Sequence, residues 1–149
     1  MSNAPKIYNQ KNLRKGRYSE PNQIYHITTT IINRVPEFQD LKTARQAINV
    51  IRKADDLAFT TTYCFMLMPD HLHWLFQLNE GVTLSKVVKS MKTQTSKTMQ
   101  NNWQKGFYDH AIRKDEDIQA VARYIIANPV RAGLVKRAGD YPHWDAMWV

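Results

Sequence analysis

The sequence predicts an α+β fold: a mostly antiparallel sheet of four to five strands with helices packed on it. Three observations carry this. Short runs of β-branched and aromatic residues alternate with longer stretches whose apolar residues recur at helical spacing. The order of these runs is strand, helix, strand, strand, helix, strand, helix, and its first six members form the ferredoxin-like pattern with helices on one face of the sheet. The 149 residues suffice for one core but not for two.

Each element has a local reason. Residues 5–22 are polar and basic, with Lys6, Lys11, Arg14, Lys15 and Arg17, and read as an extended arm. Phosphate tracking and plain solvation are equal readings of that arm. Residues 23–149 are expected to form the single domain. Residues 23–32 are β-branched and aromatic, the composition of a first strand. Residues 33–40 make a loop broken by Pro36. Leu41, Ala44, Ile48, Ile51 and Leu57 set a helix over 41–57. A second strand follows over 59–67, a turn at Met68-Pro69-Asp70, and a third strand over 71–78, antiparallel to the second. Leu84, Val87, Val88 and Met91 mark one face of a helix from Leu84 to Gln100. Residues 107–113 read as a fourth strand. Asp115 or Asp117 caps a last helix that stops before Asn128-Pro129. Residues 130–149 look aromatic and irregular.

Composition narrows the partners. The net charge is +8, large for this length, and nucleic acid is the commonest polyanion a basic protein meets. The single cysteine, Cys64, rules out an intramolecular disulfide and fits a reducing compartment. No apolar run approaches the length of a membrane span, so a cytoplasmic protein without membrane partners is expected.

The chemistry concentrates in two segments. His71 and His73 lie two apart on a strand, so both imidazoles project from one face while Leu72 projects from the other. A lone His-x-His pair is a weak signal of metal ligation, strengthened here by its apolar flanks. In the last helix the stripe Ile118, Val121, Ala122, Ile125 faces the core. Tyr124 and Asn128 fall on its rim, roughly 110° and 70° from the stripe's centre. Packing for Tyr124 and helix capping for Asn128 are the ordinary readings. The chemical reading makes Tyr124 a nucleophile for a phosphodiester, with a divalent ion on the histidines and Asn128 completing the ligand shell. Mixed nitrogen and oxygen ligation suits Mg²⁺ or Mn²⁺.

Several segments match a known family in order and spacing. They are Tyr25-His26-Ile27-Thr28, Met68-Pro69-Asp70-His71-Leu72-His73, Leu84 through Lys92, Gly106 through Arg113, Tyr124 through Val135, and Asp140-Tyr141-Pro142. On these the chain resembles the REP-associated tyrosine transposases, a branch of the single-tyrosine transposases within the HUH endonuclease superfamily. The resemblance runs from about residue 23 to the end. It implies Mg²⁺ or Mn²⁺ on His71 and His73, Asn128 as third ligand, and Tyr124 forming a 5′-phosphotyrosine link with release of a 3′-OH. It implies single-stranded, hairpin-containing DNA as substrate and no need for ATP. The chain departs from the family at Thr30, where many members carry an arginine.

Candidate DNA contacts are Arg14, Lys15, Arg17, Lys86, Lys89, Lys92, Arg113 and Arg131, with Lys92 foremost because it falls in a matching segment. His26 reads as a core or edge histidine, with a DNA contact as its second reading, and His110 as a structural one beside Asp109. Trp103, Trp144 and Trp148 could stack on bases, though at least one should pack in the core. Asp70 and Glu80 are expected as supports around the metal strand. Two other readings stand beside the nuclease: a non-catalytic nucleic-acid-binding module on the same fold, and a hydrolase that uses water. Monomer and homodimer both fit.

Overall fold

The structure is a computed structural model and describes residue 20 and residues 22–148. Five strands form one antiparallel sheet: β1 (Ile24–Thr30), β2 (Thr60–Met68), β3 (His71–Leu78), β4 (Tyr108–Ala111) and β5 (Trp144–Ala146), in the order β4-β1-β3-β2-β5. The helices are α1 (Leu41–Asp56), α2 (Leu84–Ser96), α3 (Ile118–Ile126) and a single turn, α4 (Asn128–Arg131). The first six elements follow the expected ferredoxin-like order.

Register decides where the chemistry sits. β2 and β3 join through a two-residue turn, Pro69-Asp70, which pairs Met68 with His71 and sets the register as far as Leu75 opposite Cys64, beyond which a bulge between Thr62 and Cys64 shifts the pairing. Leu72, Trp74, Phe76 and Leu78 then face α1 and α2 and are fully buried with Ile27, Phe38 and Ile51. Trp74 meets the requirement of a buried indole by donating from Nε1 to Thr62 Oγ1 at 3.0 Å. The alternate residues, His71, His73 and Leu75, face the other way. There Val121, Ala122 and Ile125 of α3 close a second core with Cys64, Met66 and Tyr141. The sheet is thus covered on both faces, by α1 and α2 on one and by α3 on the other.

Caps define the helix starts. Asp40 accepts from Thr43 N at 2.9 Å, Thr83 from Lys86 N at 3.2 Å, and Asp117 from Gln119 N and Ala120 N. Of the two expected caps for the last helix, Asp117 serves.

Three expectations need correction. The stripe of α1 is Ala44, Ala47 and Ile51, whereas Leu41 and Leu57 lie at the helix ends and are exposed. α2 stops at Ser96 rather than Gln100, where Thr95 and Ser96 turn their hydroxyls onto backbone carbonyls of Met91 and Lys92. The tail is not wholly irregular. Trp144–Ala146 adds an edge strand to β2, and Tyr141 is buried with its hydroxyl donating to Leu67 O at 2.7 Å. No helix among the described residues is long and apolar enough to cross a membrane.

Candidate active site

The two histidines emerge on the α3 side of the sheet, as strand periodicity requires. Their ring centroids are 5.0 Å apart and nearly perpendicular, at 80°. Two imidazoles sharing one ion through Nε2, with bonds of about 2.1 Å, would hold their centroids roughly 4.5–5.2 Å apart for angles near 90–110° at the ion. The observed spacing falls inside that range.

Each histidine is oriented through its other nitrogen. His71 Nδ1 lies 2.7 Å from Asp70 Oδ1, at the turn that begins β3. His73 Nδ1 lies 3.0 Å from His26 Nε2 and 3.1 Å from Thr28 Oγ1, both on β1. Thr28 is directly opposite His73, and His26 is one step along the same face, opposite Leu75. With both Nδ1 atoms engaged, Nε2 is the nitrogen left for a ligand on each ring. Such partners fix ring orientation and tautomer around metal sites. A neutral His73 that keeps Nε2 for a ligand carries its proton on Nδ1 and donates it to His26 Nε2 or Thr28 Oγ1.

The electrostatics favour neutral rings. Burial pushes the pKa of His73 well below the ordinary histidine value, helped by His26, His71 and the charge of Arg131. Burial also lowers that of His71, against the opposing pull of Asp70. His26 falls to about 4, through burial and then repulsion from His110. For Asp70, burial acts to raise the pKa, but the bond from His71 and the charges of His71 and Arg34 prevail and hold it below its usual value. Asp70 therefore stays ionised and His71 keeps an acceptor.

Tyr124 and Asn128 come from the helix that closes this face. Ile125, fully buried, anchors α3 on the sheet, while Tyr124 beside it is 55% exposed. Arg131 Cζ sits 3.8 Å from the centre of the Tyr124 ring. Asn128 opens α4 after a one-residue joint at Ala127, and buried Pro129 holds its first turn. The Asn128 amide nitrogen donates to Ile125 O at 2.9 Å, which leaves its oxygen without a partner among the described residues. Neither Tyr124 nor Asn128 hydrogen-bonds to the histidines. Among the described residues no group of three or more His, Cys, Asp or Glu side chains could hold a metal, so an ion on the histidine pair would need the amide oxygen, water or substrate.

Other expected residues lie elsewhere. Arg14, Lys15 and Arg17 fall outside the described residues. Lys86 and Lys89 are exposed on α2, across the sheet from the histidines. Lys92 is half-buried and donates to Gln104 O at 2.9 Å and Gly106 O at 2.6 Å, pinning the segment that leads into β4. Arg113 is exposed beside Asp115. Glu80 follows the far end of β3, away from His71, and cannot support it. His110 bonds to Glu116 at 3.1 Å. Trp103 is core, with Nε1 donating to Thr95 Oγ1, whereas exposed Trp148 stacks on Tyr63.

Two supporting roles escaped the sequence reading, although His26 is buried as expected. His26 buttresses His73, which needs the β1–β3 register to be seen. Arg34 Nε binds Asp70 Oδ2 at 2.9 Å, reached through successive positive φ angles at Asn33 and Arg34 of 58° and 54°.

The family described as "Transposase IS200 like" matches residues 19–128. The chain belongs to the IS200-like transposase family. It is similar to an Escherichia coli K12 protein named REP-associated tyrosine transposase, 35% identical over 81 residues that make up 52% of this chain and 49% of that protein. A Haemophilus influenzae Rd protein provisionally given the same name is 29% identical over 99 residues, 55% of this chain and 56% of that one. The chain thus spans about half the length of the curated relatives it matches. In three dimensions it is similar to a REP-associated tyrosine transposase solved with a REP hairpin, with a TM-score of 0.71 and 28% identity, covering 86% of this chain and 79% of the other. The α+β sheet architecture expected from the sequence is the one this IS200-like transposase shares with that structure.

Proposed function

We propose that the chain is a single-strand DNA endonuclease and transposase that cuts and rejoins hairpin-containing DNA through a 5′-phosphotyrosine link. The observation that carries this is one juxtaposition. Two neutral histidines with uncommitted Nε2 atoms share a sheet face with the helix that presents an exposed tyrosine. Family membership and the likeness to a hairpin-bound transposase support the same reading.

His71, His73 and the Asn128 oxygen would hold the ion, and their nitrogen and oxygen donors suit Mg²⁺ or Mn²⁺. When bound, such an ion polarises a phosphate oxygen and offsets developing charge. Asp70, His26 and Thr28 keep the two imidazoles in one tautomer. Tyr124 Oη attacks phosphorus; the Tyr124–phosphate bond forms and the bond to the 3′-oxygen breaks. The phenolic proton leaves to solvent at this exposed position, and the departing 3′-oxygen takes one from water. The ester keeps the energy of the broken bond, so a later attack by a 3′-OH rejoins DNA without a nucleotide cofactor. The substrate is single-stranded DNA bearing a hairpin, and the setting is the cytoplasm.

The test is incubation with a library of labelled single-stranded hairpin DNAs and Mn²⁺ or Mg²⁺, followed by a denaturing gel. A protein–DNA band that disappears with a chelator, with His71→Ala and with Tyr124→Phe is expected. DNA bound across the library but never cut or linked would favour the binding-module reading. Cutting without a link by both the native chain and Tyr124→Phe would make water the nucleophile.

A further inference from the structure

Arg131 closes the helical turn that Asn128 opens and lies against the nucleophile Tyr124. Its guanidinium covers the Tyr124 ring at 3.8 Å. Five other arginines, Arg34, Arg52, Arg113, Arg123 and Arg137, have a carboxylate within 4.0 Å. Arg131 has neither a carboxylate nor any hydrogen-bond acceptor among the described residues. Asp70, the acid beside His71, is already shared by His71 and Arg34. An arginine whose face is fixed on an aromatic ring keeps its N–H edge for an oxyanion, and its fork fits two phosphate oxygens.

We propose that Arg131 binds the scissile phosphate itself, holding two of its oxygens beside Tyr124 and stabilising the charge that builds on them during attack. This rests on the tyrosine-nuclease reading above. Arg131 makes and breaks no bond. Tyr124 Oη still bonds to phosphorus and the 3′-oxygen still leaves, while the guanidinium stays protonated. Its stacking also restrains the Tyr124 ring, so one side chain aligns both reacting groups.

The test compares wild type, Arg131→Ala, Arg131→Gln and Arg131→Lys on a hairpin oligonucleotide that wild type links. Each is assayed with a normal phosphodiester and with an uncharged methylphosphonate at the mapped scissile position. On the phosphodiester, Arg131→Ala and Arg131→Gln should slow single-turnover adduct formation by about 10²–10³-fold, the loss seen when one oxyanion donor is removed. Arg131→Lys should recover about tenfold of that, as a point charge without the fork. Affinity, measured in a Tyr124→Phe background, should fall less than about threefold, because one phosphate contact among several is lost. On the methylphosphonate the wild-type advantage should shrink to roughly threefold or less, since the charge that Arg131 meets is gone. An equal defect on both substrates, with melting temperatures unchanged, would overturn the proposal and reduce Arg131 to a support for the ring. So would an Arg131→Ala rate within about threefold of wild type on the phosphodiester. A wild-type chain that links no DNA would fail the tyrosine reading first, and this role with it.

Discussion

Asp70 should be worth more to metal binding than any other residue outside the ligand set. Its carboxylate accepts from His71 Nδ1 at 2.7 Å and is held in turn by Arg34 Nε at 2.9 Å. Replacing it separates three contributions. Asp70→Ala removes the acceptor, frees the ring to rotate and strips the negative charge that raises ligand basicity. Losses of this kind typically reach 10–100-fold in metal affinity. Asp70→Asn can still accept from Nδ1–H but as a neutral group. A hydrogen bond to a charged partner contributes about 1.5–3 kcal/mol and a neutral one about 1, so roughly tenfold should be lost. Arg34→Ala removes an ion pair whose arginine is 61% exposed, and such pairs contribute about 0–1 kcal/mol, a change of at most about fivefold. Titration with Mn²⁺ followed by electron paramagnetic resonance reads all three. The expected order of weakening is Asp70→Ala, then Asp70→Asn, then Arg34→Ala. An Asp70→Ala chain that binds Mn²⁺ as wild type does would refute the orienting role. An Arg34→Ala chain weaker than Asp70→Ala would show that the arginine, not the carboxylate, sets the site.

Further outcomes follow from burial and bonding. His26 has a folded pKa of about 4 against 6.5 unfolded, so the unfolded chain takes up the proton first as pH falls. Stability from neutral His26 is full above the unfolded value and is lost between about 6.5 and 4, with roughly 2 kcal/mol gone by about pH 5. Urea titrations of the metal-free protein at the two pH values should show at least that loss, because the His71 and His73 shifts act in the same direction. Equal stability at both would contradict the assignment. Ile125→Ala empties a fully buried position under Tyr124 and should cost about 2–5 kcal/mol in urea unfolding. A cost below about 1 kcal/mol would mean that α3 is not anchored there. Lys92→Met should lower stability by about 1–3 kcal/mol through loss of two carbonyl contacts, while DNA affinity changes less than about twofold. A large affinity loss in a fully stable variant would restore Lys92 as a phosphate contact.

Much of this could be read from the sequence because it depends on period and order alone. Alternation along 71–78 puts His71 and His73 on one face, and the turn at Met68-Pro69-Asp70 gives the hairpin. A cap at Asp115 or Asp117, the stripe that includes Ile125 and the stop before Asn128-Pro129 locate the helix that carries Tyr124. What was hidden needed register or tertiary context. His26 can be joined to His73 only once β1 is paired with β3, and a single histidine on a strand carries no mark of that. His110 turned from its neighbour Asp109 to Glu116, reached through the turn after β4. Lys92 looked like a helix-surface charge because spacing cannot show that two loop carbonyls fold back onto it. A three-residue edge strand at Trp144–Ala146 is too short for any periodic signal. Glu80 was misjudged for a geometric reason: it follows the same strand but at the opposite end.

The most direct test of the central claim is to map the covalent link. The DNA-linked protein is digested with nuclease and trypsin, and cleavage after Arg123 and Arg131 releases residues 124–131 as one peptide. Mass spectrometry should find that peptide carrying a 5′-linked nucleotide on Tyr124, formed only with divalent metal. A link on another tyrosine such as Tyr63 or Tyr108, or cleaved DNA with the 124–131 peptide unmodified, would contradict the assignment of Tyr124 as nucleophile.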